Sequence, residues 1–159
     1  MTDLRLPADL VDFLRNGLQL QYDFRACEAG RVSLLPLDSL KLGTFTIDAD
    51  RKENAHRDPN RGKPGMYKVP GVNLIATAQG YDPEGILIWV PDEAAFGTWD
   101  CDHHDLWIFR DTEWSEIVAD PLPYITAQWT FDGIEKEWLI PWPRYPFDDD
   151  PLDAGVPPR

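Results

Sequence analysis

Residues 86–109 read ILIWVPDEAAFGTWDCDHHDLWIF. Three apolar runs lie in this stretch, at 86–90, 96–99 and 106–109. The first is continuous and rich in β-branched and aromatic side chains, the pattern of a strand buried on both faces. Pro91-Asp92 breaks it. The polar turn around Asp102-His103-His104 joins the other two runs. Short strands separated by tight turns predict antiparallel pairing.

Upstream of this stretch, the spacing of Leu6, Leu10, Phe13 and Leu14 places all four on one face of a helix over 7–16. Pro7 suits a first helical turn, Asp9 favours its positive end, and Asn16-Gly17 is a natural stop. Residues 32–35 predict a strand closed by Pro36, with a turn of helix over 37–40. Strict alternation over 44–47 predicts a second strand. The stretch 72–76 is short and apolar, and 80–85 has turn chemistry. Between the second strand and 72–76, residues 48–70 are poor in apolar side chains and predict a long loop. It carries six basic residues, Arg51, Lys52, Arg57, Arg61, Lys63 and Lys68, on an otherwise acidic chain.

Downstream, residues 98–129 hold Trp99, Trp107, Trp114 and Trp129, with seven acids threaded between them and Arg110 as the only basic residue. Rings seek the interior and carboxylates resist it. The segment therefore predicts a packed core with a negative face. Residues 114–117 lead into a short helix. Asp120 is placed to cap a final helix carrying Tyr124, Ile125, Gln128 and Trp129 along one side. Residues 140–159 contain six prolines and four aspartates and predict an irregular tail, pinned by Trp142, Tyr145 and Phe147. The expected organisation is one domain over 1–140 and a Pro/Asp-rich tail over 141–159. Its expected fold class is α+β: a single, mainly antiparallel sheet with an N-terminal and a C-terminal helix packed against it.

Charge and composition narrow the function. The net charge of −13 disfavours nucleic acid and anionic membranes as partners. No run of 18 apolar residues is present. Cys27 and Cys101 form no metal or redox motif, and a reducing cytoplasm is the expected setting.

Signals for chemistry are weak. Asp100-Cys101-Asp102-His103-His104-Asp105 has metal-ligand residue types, but adjacent histidines on a strand point to opposite faces and no second ligand pair follows at a familiar spacing. Ser33, Ser39 and Ser115 lack a nucleophile-elbow context. Cys101 sits among acids that oppose its thiolate. Gly62-Lys63 lacks the flanking strand and helix of a phosphate loop. No catalytic residue, metal or cofactor is expected.

The order of features resembles the SUKH superfamily, the Smi/Knr-like immunity and scaffold proteins. The resemblance rests on Leu6-Pro7-Ala8-Asp9, Phe13-Leu14 and Asn16-Gly17 in the opening helix. A strand and helical turn follow at 32–40. The closing part is carried by Trp99-Asp100, 106–109, 114–117 and 124–129, so the match spans about residues 4 to 130. The resemblance implies an α+β fold and a bacterial immunity protein that neutralises a toxin by binding it, without catalysis. The same fold also serves as a generic interaction scaffold, and a small metal-dependent hydrolase built on the 100–105 turn is a third reading.

The expected docking face gathers Asp82, Glu84, Asp92, Glu93, Asp100, Asp102, Asp105, Asp111 and Glu113, with Trp99 as an exposed anchor for a basic protein partner. Turns at one end of the sheet would gather these acids into a single patch, and turns at opposite ends would split it.

Overall fold

The computed structural model describes residues 3–20, 33–48, 65–76, 85–100, 103–126, 130–131, 133–139, 144–145 and 147–148. Its framework is an antiparallel sheet ordered β1-β2-β3-β4-β5-β8, with β9 pairing β2 off that path. The strands are β1 (Leu42–Asp48), β2 (Met66–Asn73), β3 (Gly85–Val90), β4 (Ala95–Asp100), β5 (Asp105–Phe109), β8 (Glu137–Trp138) and β9 (Phe147–Asp148). A separate two-stranded ribbon joins β6 (Thr130–Phe131) to β7 (Ile134–Glu135). The helices are α1 (Ala8–Arg15), α2 (Trp114–Ala119) and α3 (Leu122–Ile125). The fold is therefore α+β, with an N-terminal helix and C-terminal helices packed around one antiparallel sheet.

Residues 86–109 form the centre of this sheet, as their apolar runs predict. β3 pairs β4 from Gly85↔Asp100 to Val90↔Ala95, and β4 pairs β5 from Phe96↔Phe109 to Asp100↔Asp105. The period-2 alternation of strands sends side chains to two separate cores. On the helical side, Leu87, Trp89, Phe96 and Phe109 pack with Leu10, Leu14, Trp114, Ile117, Tyr124 and Ile125. On the other side, Ile88, Val90, Trp99, Leu106 and Ile108 pack with Phe45, Ile47, Val69, Leu139 and Tyr145. A strand between two cores has no solvated face, which is why 86–90 lacks polar alternation.

The second core is enclosed because the sheet curls. The backbone N–H of Asp48, ending β1, donates to the carbonyl of His104, just before β5, at 2.9 Å. Trp99 Nε1 crosses the interior to the carbonyl of Thr46 on β1 at 2.9 Å. Two glycines permit this close approach. A Cβ on Gly71 would lie 2.9 Å from the Phe45 ring, and one on Gly97 would lie 3.0 Å from the Trp107 carbonyl oxygen. Small residues at such positions let a sheet bend where a side chain would collide.

The opening helix forms as expected, with Leu10 and Leu14 buried and Leu6 and Phe13 packed at the margin. Phe13 meets Trp114 of α2 edge-on, with centroids 5.4 Å apart. The helical turn after Pro36 is a 3-10 turn, Leu37–Ser39. Of the strand expected at 32–35, the described residues 33–35 carry one bridge, Leu34↔Ile75.

Three expectations are corrected. The loop expected over 48–70 ends earlier, because β2 begins at Met66 and pairs β1 along its length. Pro70 disguises this strand. On the side of β2 away from β1, β9 takes Met66 and Tyr67 and β3 takes Val72 and Asn73. Pro70 sits in the interval between them, where a missing N–H costs least. The final helix is one turn, with Thr126 already extended. Asp120 ends α2 instead of capping α3, and Glu113 and Glu116 form a reciprocal capping box at the start of α2. The tail is not wholly irregular: Tyr145 is buried and β9 joins the sheet. The basic stretch 51–63, the turn at 80–84, Gln128, Trp129 and Trp142 lie outside the described residues.

Candidate functional site

The meander decides how the acids are distributed. In an antiparallel β3-β4-β5 unit, the β3–β4 turn and the end of β5 share one end of the sheet, and the β4–β5 turn lies at the other. The acids of 91–93 and 110–113 are thus separated from those of 100–105. Of the two arrangements left open by the sequence, the meander takes the split one. Asp82, Glu84 and Asp102 lie outside the described residues.

At the β4–β5 end, Asp100 and Asp105 face each other across the ladder and both are buried. Asp100 accepts from the His103 backbone N–H at 3.2 Å, and its other oxygen lies 2.7 Å from His103 Nδ1. His104 adopts the left-handed conformation, with φ of 57°, that closes the hairpin. Asp100 thus caps the turn. Among the described residues no group of three or more His, Cys, Asp or Glu side chains is placed to hold a metal ion.

Trp99 also requires correction. It is 0% exposed, edge-on to Phe45 at 5.4 Å, so it is a core ring and not a surface anchor. Its period-2 position on β4 points it into the enclosed core beside Ile88 and Ile108.

At the opposite end, Glu93 is the centre of an ion cluster. Its side chain is 2% exposed. One oxygen accepts from Arg110 Nη2 at 2.8 Å, and the other from Arg144 Nη1 at 2.6 Å and the Tyr145 hydroxyl at 2.8 Å. Arg110 also donates through Nε to Glu137 at 3.0 Å. Burial alone would raise the Glu93 pKa, but the hydrogen bonds from Arg110, Tyr145 and Arg144 outweigh it and hold the carboxyl below the ordinary glutamate value. Burial and the bond to Glu93 push the Tyr145 phenol well above its usual range. Glu93 is therefore neutralised within the fold and fastens the tail segment to the sheet. Asp92 beside it is exposed and pairs with Arg5 at 3.0 Å.

Among the described residues, the helical layer carries a group of exposed acids. Asp111, Glu113, Glu116 and Asp120 are exposed along and before α2, and Asp9 and Asp12 are exposed on the neighbouring α1. Amphipathicity explains the placement. Each helix turns its Leu, Ile or Trp face to the sheet and its acids outward. Asp111 and Glu113 of the expected docking set fall here. Asp92 lies at the same end of the sheet, while Glu93, Trp99, Asp100 and Asp105 are buried.

Sequence reasoning missed Lys136. It lies between β7 and β8, is 5% exposed, and donates to the Thr98 hydroxyl at 3.3 Å and to the Thr126 carbonyl. The Phe109 ring centroid lies 6.0 Å from its Nζ. Burial lowers its pKa to about 7. The one signal in the sequence is a lone lysine flanked by Glu135 and Glu137, which reads as a solvated face.

No family model, curated protein or solved structure matches the chain. Among the described residues, no helix is long and apolar enough to cross a membrane.

Proposed function

We propose that this chain is a non-catalytic binding protein that captures a basic protein partner, and that the partner is a bacterial toxin domain which it neutralises. The observation that carries the reading is the charge. The net value is −13 over 159 residues, and among the described residues six exposed acids lie on or beside α1 and α2: Asp9, Asp12, Asp111, Glu113, Glu116 and Asp120. A surface of one sign raises the encounter rate with a partner of the other and rejects partners of like charge. The opening pattern Leu6-Pro7-Ala8-Asp9, Phe13-Leu14, Asn16-Gly17 and the order of elements resemble SUKH immunity proteins and favour a toxin over other basic partners.

The docking face is accordingly revised to Asp9, Asp12, Asp111, Glu113, Glu116 and Asp120. The test is the triple change Asp12→Lys, Asp111→Lys and Asp120→Lys, which leaves the Glu113–Glu116 cap and the buried acids untouched. Association with a cognate basic toxin domain should slow at least about tenfold at low salt and converge with the parent at high salt. Protection in co-expression should fall in parallel. Unchanged binding and protection by a folded triple variant would remove the helical face from the mechanism. Binding of basic proteins without any protection would assign the chain to the scaffold reading instead.

A further inference from the structure

A lysine amine is among the most strongly hydrated side-chain groups, and burying it as a cation demands an anionic partner. Lys136 has none. Among the described residues its polar partners are the Thr98 hydroxyl on β4 and the Thr126 carbonyl at the end of α3, both uncharged. Thr98 is itself engaged, donating to the Tyr124 carbonyl of α3 at 2.6 Å. The site is closed by the Phe109 ring of β5, which stacks edge-on to Tyr124 at 4.9 Å. Four elements thus meet around one amine: β4, β5, α3 and the β7–β8 segment.

The titratable groups around this junction do not pair with the amine. On β4 and β5, Asp100 and Asp105 share the sheet face of Thr98 and Phe109, and neither forms an ion pair with Lys136. On the β7–β8 segment, Glu135 and Glu137 are exposed, and Glu137 pairs with Arg110. On α3, burial and the charges of Glu116 and Asp120 raise the Tyr124 phenol and favour its neutral form.

We propose that Lys136 makes this junction acid-sensitive: a proton taken up by the amine lands in a site lined by neutral oxygens and loosens the docking of α3 and the β7–β8 segment on the sheet. The direction follows from linkage. The unfolded chain holds its lysine proton up to about 10.5, and the folded chain releases it at about 7. Between these values the unfolded state binds more protons, so stability rises with pH. Above 10.5 both states are neutral and the contribution is constant. The contribution of Lys136 to stability therefore falls as pH drops from about 10.5 to about 7, and it is constant below that, where the folded amine is itself charged.

The test compares the full chain with Lys136→Met, which keeps the aliphatic stem and removes the amine. Chemical unfolding across this range should show the wild-type unfolding constant falling by up to about tenfold per pH unit relative to the variant, from the lysine proton alone. Groups other than Lys136 are common to both proteins and cancel in the comparison. Parallel pH profiles for the two proteins would overturn the proposal. If Lys136→Met does not fold, the Lys136 Cε resonance of the wild-type protein is followed by NMR. A midpoint near neutrality supports the proposal, and a midpoint at the ordinary lysine value overturns it.

Discussion

Glu93→Gln removes a charge while keeping the shape of the side chain. In the wild-type protein both carboxylate oxygens act only as acceptors, receiving Arg110 on one and Arg144 and Tyr145 on the other. Glutamine supplies one acceptor and one donor group. Its N–H₂ must face either Arg110 or the Arg144–Tyr145 pair, and each choice sets donor against donor. A hydrogen bond to a charged group contributes about 1.5–3 kcal/mol. The Arg110 and Arg144 side chains are 42% and 61% exposed, so water recovers part of what they lose. The expected loss is about 2 kcal/mol, a large share of the ~5–15 kcal/mol that holds a domain of this kind folded.

The assay is urea unfolding followed by tryptophan fluorescence, at neutral pH and in acid. The sign of the pH dependence is fixed. The folded pKa of Glu93 is depressed, so its contribution is fully present above the ordinary glutamate value of 4.5 and is lost as pH falls through the folded value. The gap between parent and variant should be constant near neutrality and shrink in acid. A gap below about 0.5 kcal/mol at neutral pH, or one that persists undiminished after the carboxylate has been protonated, would refute the cluster as a stabilising element.

Two further outcomes test the curled sheet. Gly71→Ala places a methyl 2.9 Å from the Phe45 ring and 3.4 Å from Ile88 Cδ1, and should cost about 1–3 kcal/mol by overpacking. Phe45→Leu in the same chain should recover part of that cost in a double-mutant cycle, and strict additivity would place the two residues apart. Trp99→Phe leaves the Thr46 carbonyl without its indole donor and opens a cavity in the second core. Thermal unfolding should show a loss of at least about 2 kcal/mol, and a neutral result would mean Trp99 is not interior.

Local pattern determined much of this protein. Helix α1 follows from apolar residues at helical spacing, and β3, β4 and β5 follow from apolar runs bounded by Pro91 and the His103-His104 turn. Antiparallel pairing follows from the shortness of the links. These features depend on residues within a few positions of each other, and a side-chain period records them. The fate of each charged residue is not local. Glu93 is buried because Arg144 and Tyr145 return from 51 and 52 positions away, and Lys136 because Thr98 lies 38 positions back. β2 and β9 are illegible because Pro70 and the Asp-rich tail suppress the strand pattern; β2 finds its partners in β1 and β3, and β9 in the part of β2 that β3 leaves open. Sequence alone supplied the number of acids and their concentration around the turns. The order of strands in space decided which acids are spent inside the fold and which remain on the helical face, because burial of a carboxylate is settled by the cations and donors that tertiary structure brings to it.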